Sequence, residues 1–128
     1  MELTQQQLFE DKNYQFRNQL EELQDTQLDN KKELRKLENL QERFHLLQQQ
    51  EQKVYQGSLN EVDPEERSFF EERHDEGLHL SRKVQQELEE DREQLEQERR
   101  ILFEKEESVH AAHRAFLKTE REATVNGT

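Results

Sequence analysis

Five histidines and thirty-one carboxylates are the side chains whose spacing first invites chemistry in this sequence. Glu42 with His45, and Glu107 with His110, each place a carboxylate and an imidazole one helical turn apart. That arrangement holds paired metals inside four-helix bundles. Folding the chain back near its middle sets His45 opposite about residue 76 and His110 opposite about residue 11, so the pairs lie roughly 50 Å apart. Such distant pairs share no metal, and a Glu-rich chain contains Glu-x-x-His by chance. No metal and no other cofactor is expected. His45, His74 and His79 come closer together near the fold-back point. They form a candidate pH-sensitive cluster, against which stands the plainer reading of solvated imidazoles. Ser is scarce, Cys is absent, and no Gly-rich phosphate loop occurs. Two paired helices also offer no concave pocket. The chain is not expected to be an enzyme.

The elements that carry these residues follow from composition. Hydrophobic residues make up 29% and charged residues 39%, with a mean hydropathy of −1.40. Compact domains have about 45–50% apolar residues, so a thick core is excluded. Disorder and long helices with a thin apolar seam remain. Glu, Gln, Leu, Lys and Arg dominate, and all favour helix. Three Gly and one Pro among 128 residues are too few for a typical disordered chain.

One break interrupts the helical pattern. Gly57 fits the residue just past a helix end. Asp63-Pro64-Glu65-Glu66 fits the start of another, with Asp63 as N-cap, Pro64 at the first helical position and Glu66 closing a capping box. The reading is all-α: an antiparallel two-helix hairpin over residues 1–128, with helix 1 at about 4–56, a connection at 57–63, and helix 2 at about 64–122. The helices are expected to be roughly 80 and 90 Å long. Residues 123–128 are expected to fray.

The periodicity is that of a coiled coil. Leu88, Leu95, Leu102, Val109 and Phe116 recur every seven residues, a full a row. Its d row is poor: Val84, Asp91, Glu98, Lys105 and Ala112. In helix 1, Phe9, Phe16, Leu20, Leu23, Leu34, Leu37 and Phe44 keep a heptad frame that Gln27, Asn30, Gln41 and Gln48 interrupt. With a turn centred near residue 60, residue i faces about residue 121−i. Leu37 then meets Val84, Leu34 meets Leu88, Leu20 meets Leu102 and Phe9 meets Ala112. Gln27 and Asn30 form a polar waist against Gln94 and Asp91. Leu28, Leu40, Leu46, Ile101 and Phe103 fall outside the seam. Since a buried Leu contributes about 1.5–3 kcal/mol at most, so thin a seam leaves the hairpin marginal. A partner helix, or a second copy of the chain, is expected to cover the leftover apolar stripe.

Net charge is −12, with −5 in residues 1–63 and −7 in residues 64–128, and neither half carries a basic block. Nucleic acid and anionic membranes are therefore not expected partners. Absence of Cys excludes disulfides and thiolate zinc sites. No apolar run approaches the roughly 20 residues of a membrane span. Met1-Glu2-Leu3-Thr4-Gln5 lacks the basic and apolar regions of a signal peptide. A cytoplasmic protein is expected, leaving the cell, if it does, without a cleaved signal.

Aromatic residues gather at the turn. Tyr55, Phe69 and Phe70 either pack on one another to close the hairpin or present an aromatic tip to a partner. Gly77 weakens helix 2 by about 1 kcal/mol relative to Ala, marking a bend or a close approach by another helix.

Two motifs carry a resemblance. Tyr55-Gln56-Gly57 is an aromatic-x-Gly turn, and Phe116-Leu117-Lys118-Thr119-Glu120 is an aromatic-x-x-x-acid segment late in helix 2. The plan resembles the WxG-type helical hairpins of type VII (ESX-like) secretion systems, with Tyr55 in place of Trp and Phe116 in place of the export-signal Tyr. The Gln/Glu-rich helices and Arg99-Arg100-Ile101-Leu102-Phe103-Glu104-Lys105-Glu106-Glu107 are more similar to the small accessory proteins encoded beside LXG toxins in Gram-positive bacteria. The resemblance implies a targeting factor or chaperone. Its partners would be the helical N-terminal domain of a toxin and a second small helical protein, with export alongside them. Partner-binding residues would be Leu88, Leu95, Leu102, Val109, Phe116 and Glu120, with Tyr55 and Gly57 as the turn motif. The alternative is a self-associating coiled-coil rod, similar to the stalk proteins of export ATPases.

Overall fold

A computed structural model describes residues 4–126. The chain is an all-α helical hairpin of two helices, α1 (Gln5–Leu59) and α2 (Pro64–Asn126). The expected end of helix 1 at about residue 56 is moved to Leu59, and that of helix 2 at about 122 to Asn126. Gly127 and Thr128 lie outside the described residues, as do Met1, Glu2 and Leu3.

The caps explain the helix starts. Thr4 donates its backbone N–H to Gln7 Oε1 at 2.9 Å, and Gln7 N–H donates back to Thr4 Oγ1 at 3.1 Å. This reciprocal capping box satisfies donors that the first turn leaves without partners. At α2, the N–H groups of Glu66 and Arg67 donate to the Asp63 carbonyl, which makes Asp63 the N-cap with Pro64 behind it. Glu65 and Glu66 place negative charge at the positive end of the α2 dipole. Gly57 corrects the sequence reading. It lies inside α1 without a positive φ and serves as no left-handed cap. The reversal is made instead by residues 60–63, with Glu61 N–H donating to the Ser58 carbonyl at 3.1 Å.

The chain divides into two compact units. One joins Met1–Lys32 to Gln97–Thr128; the other is Glu33–Glu96. In the first, Phe9 stacks on Phe116 with ring centres 5.3 Å apart, and Phe16 stacks on His113 at 5.0 Å. Asn13 Oδ1 lies 2.6 Å from His113 Nε2. In the second, Gln85 Nε2 donates to Gln48 Oε1 at 2.7 Å and Tyr55 stacks on His74 at 3.6 Å. Numbers of facing residues in both units total about 129, not the expected 121. Each residue of α1 therefore meets a residue of α2 roughly four to eight positions, one to two helical turns, later than expected. The turn itself, at residues 60–63, lies later than the expected connection by less than that. Phe9 meets Phe116 and not Ala112, and a total of 129 sets Leu34 opposite Leu95 and not Leu88.

The register also corrects the frame of α2. Val84, Asp91, Glu98, Lys105 and Ala112 are exposed, whereas Arg92, Glu106, His113 and Glu120 are half-buried. The inner stripe thus lies four residues after Leu88, Leu102, Val109 and Phe116, though Arg99, four after Leu95, is exposed, so that row holds d positions. Long Arg and Glu stems can lie along the seam with their charges in water. In α1 the inner positions are Phe9, Asn13, Phe16, Leu20, Leu23, Gln27, Asn30, Leu34, Leu37, Gln41, Phe44 and Gln48, as the heptad frame requires.

Little is buried. Among the described residues, only Leu34, Leu37, Leu102 and the polar Asn30 are enclosed. The accessible surface is 11077 Å², whereas a compact monomer of this mass exposes about 7,300 Å².

Candidate helix-binding surface

In the unit Met1–Lys32 with Gln97–Thr128, the sequence-predicted row turns onto α1. Leu102 is buried, and Val109 and Phe116 are half-buried. Phe116 lies between Phe9 and Phe16, with the Lys12 ammonium 5.2 Å from its ring centre. Glu120 is half-buried, and its backbone carbonyl accepts from Thr124 Oγ1. The face of Phe116 is therefore largely occupied within the chain. Beside the row, Ile101 and Phe103 are 44% and 59% exposed. Leu23, Ile101, Leu102 and Val109, with Thr26 and Ser108, line an open groove of about 800 Å³.

In the unit Glu33–Glu96, Leu88 and Leu95 are half-buried. This unit holds nine of the fourteen exposed large apolar side chains found among the described residues. Leu40, Leu47 and Val54 form a seven-residue row immediately before inner positions Gln41, Gln48 and Tyr55, and all three are more than half exposed. Such a row is what a third helix covers in a coiled coil.

The turn end has the other dense group. Tyr55 stacks nearly flat on His74, with 5° between the planes. Its phenol pKa is raised above the usual value, first by burial and then by the charges of Glu71 and Asp75, against Arg67. Phe69 and Phe70 meet edge to face at 5.9 Å, and the Arg73 guanidinium lies 5.0 Å from the Phe69 ring centre. Both Phe residues remain exposed. The aromatic group thus closes only in part: Tyr55 is taken by His74, and the Phe pair faces outward.

An open groove of about 750 Å³ runs beside this group, lined among others by His45, Lys53, Arg73, His74, Gly77 and Leu78. His45 and His74 share it; His79 is exposed and does not line it. His45 Nε2 lies 3.2 Å from Gln49 Nε2. His110 pairs with Glu106 at 3.5 Å, not with Glu107. His45 and His110 belong to different units, and no cluster of three or more potential metal ligands occurs among the described residues. No helix among those residues is long and apolar enough to cross a membrane.

Sequence reasoning missed the Asn13–His113 pair and the Thr4–Gln7 box. Thr4-Gln5-Gln6-Gln7 was a legible capping signal. The Asn13–His113 pair had none, because it depends on the register. No curated protein and no solved structure matches the chain. Residues 11–116 match the model of a family described as protein of unknown function (DUF3958), and the chain belongs to that family.

Proposed function

We propose that the chain is a helix-binding targeting factor or chaperone, of the kind encoded beside LXG toxins, which packs against the helical N-terminal domain of such a toxin to promote its export. One observation carries the reading. Three apolar side chains are buried among the described residues, while fourteen large ones are exposed. Leu40, Leu47 and Val54 stand in one row and not singly, and covering exposed apolar surface with a helix recovers roughly 25 cal/mol per Å². The partner lies along the flank of the Leu88, Leu95, Leu102, Val109, Phe116 and Glu120 row, where Ile101 and Phe103 stand free. Gln and Asn at inner positions supply pairing specificity, since each needs a matched polar partner.

Co-expression with a neighbouring toxin's helical domain tests this. Leu95→Asp with Leu102→Asp is expected to abolish co-purification. Because Leu102 is buried, the exposed pair Ile101→Asp with Phe103→Asp is measured beside it, with circular dichroism to confirm an intact hairpin. Undiminished co-purification of both variants refutes the reading. The row Leu40, Leu47, Val54 equally suits a second copy of the chain, as in a self-associating rod. Light scattering separates the two: a stable homodimer in the absence of any partner favours the rod.

A further inference from the structure

We infer that the groove beside Gly77 is the docking site for a carboxylate-bearing helix of a partner protein. This deepens the proposed helix-binding function and rests on it. Three observations converge. First, Gly77 lies inside α2, more than three turns from its start, and a Cβ built there meets nothing within 4 Å. A glycine inside a helix weakens it, and here no neighbour within the chain requires one. Its lack of a side chain leaves room for a second backbone to approach closely. Second, the groove's lining carries more cations than carboxylates in a chain of net charge −12. Its lining holds Lys53 and Arg73 against the single carboxylate of Glu51. Neither cation makes an ion pair with a carboxylate among the described residues; Arg73 lies over Phe69 instead. Third, the dimensions suit a helix better than a small anion. The lining runs from Arg73 to Gln85 on α2, a rise of about 18 Å, or roughly three helical turns.

The occupant therefore crosses α2 at Gly77, packs small or apolar residues on Leu78, and sets Asp or Glu side chains against Lys53 and Arg73. Arg can take a carboxylate with two parallel N–H donors. Basic helices are disfavoured by the same charges.

The test uses the full chain and two synthetic amphipathic helical peptides of about 28 residues, identical except that one carries Glu and the other Lys beside its Ala/Leu face. Fluorescence anisotropy at low salt is expected to give at least about tenfold tighter binding of the Glu peptide. Gly77→Leu, and separately Lys53→Glu with Arg73→Glu, should each weaken it about tenfold or more. Ala112→Leu, a bulky change at an exposed position outside the groove, should not. Circular dichroism checks that each variant keeps its helicity. Equal or preferred binding of the Lys peptide, or equal losses in Gly77→Leu and Ala112→Leu, overturns the groove assignment and leaves helix binding standing. No binding of either peptide, together with no co-purifying helical domain, overturns both. Concentration-dependent self-association that Gly77→Leu abolishes assigns the groove to a second copy instead and overturns the acidic partner.

Discussion

Asn13 and His113 show what a single polar pair does in a thin seam. The two are half-buried and 2.6 Å apart, with Phe16 stacked on the imidazole. Removing one partner leaves the other partly desolvated without its hydrogen bond, which costs about 1–3 kcal/mol. Asn13→Ala is therefore expected to lower stability by about 1–2 kcal/mol in urea denaturation. Replacing both residues by Leu should recover most of that loss, and a double variant as unstable as the single would contradict the account. The pair was not legible beforehand, because neither residue is apolar and both count as surface in a hydropathy pattern. Tyr55 is a second case at this scale. Its raised pKa means that folding favours the neutral phenol. Its contribution is present below the ordinary tyrosine value and is lost as pH rises through the elevated one. Ultraviolet titration of a Tyr14→Phe variant should show Tyr55 ionising above the ordinary value; ionisation at or below it would mean that the stack on His74 does not persist in solution.

At the scale of the helices, existence and type were legible, and phase was not. Glu, Gln and Leu in heptads dictate long helices, and Asp63-Pro64 dictates where α2 begins. Gly57 misled because glycine is read as a stop, yet a residue in helical φ costs only about 1 kcal/mol there. With that extension, the pairing differs from the expected one by roughly one to two turns. It also inverted the α2 frame, since a row of Leu every seven residues looks the same whether it occupies a or d. Asn30 is the enclosed polar residue of this seam, and a polar inner position fixes register at a cost in stability. Asn30→Leu should raise the thermal midpoint while admitting alternative alignments. A cysteine pair placed at positions 55 and 74 reads this out, crosslinking fully in the parent and incompletely in the variant. Gly77→Ala should raise stability alone, by about 0.5–1 kcal/mol, because nothing meets the added methyl. A drop would mean that the backbone at Gly77 is not in ordinary helical geometry.

Across the whole chain, stability is expected to be uneven, because local opening follows local apolar burial. The unit Met1–Lys32 with Gln97–Thr128 has Phe9, Phe16, Phe116 and His113 in mutual contact and Leu102 enclosed. Around the turn, residues 45–58 and 67–85 hold exposed Leu46, Leu47, Val54, Phe69 and Leu80, with no enclosed side chain among them. Amide hydrogen exchange in the isolated protein should therefore be slower over 13–30 and 99–113 than over 45–58 and 67–85. A helical partner that binds only the ordered state stabilises it by mass action, by about 2.7 kcal/mol at a hundred times its dissociation constant. If that partner docks at Gly77, protection should rise first and most over 45–58 and 67–85, the segments that are least protected alone. Protection gained only over 99–113 would place the partner on Ile101 and Phe103 and leave the turn unoccupied. Equal protection everywhere in the isolated chain would mean that the hairpin satisfies its own apolar surface, removing the physical reason for a partner.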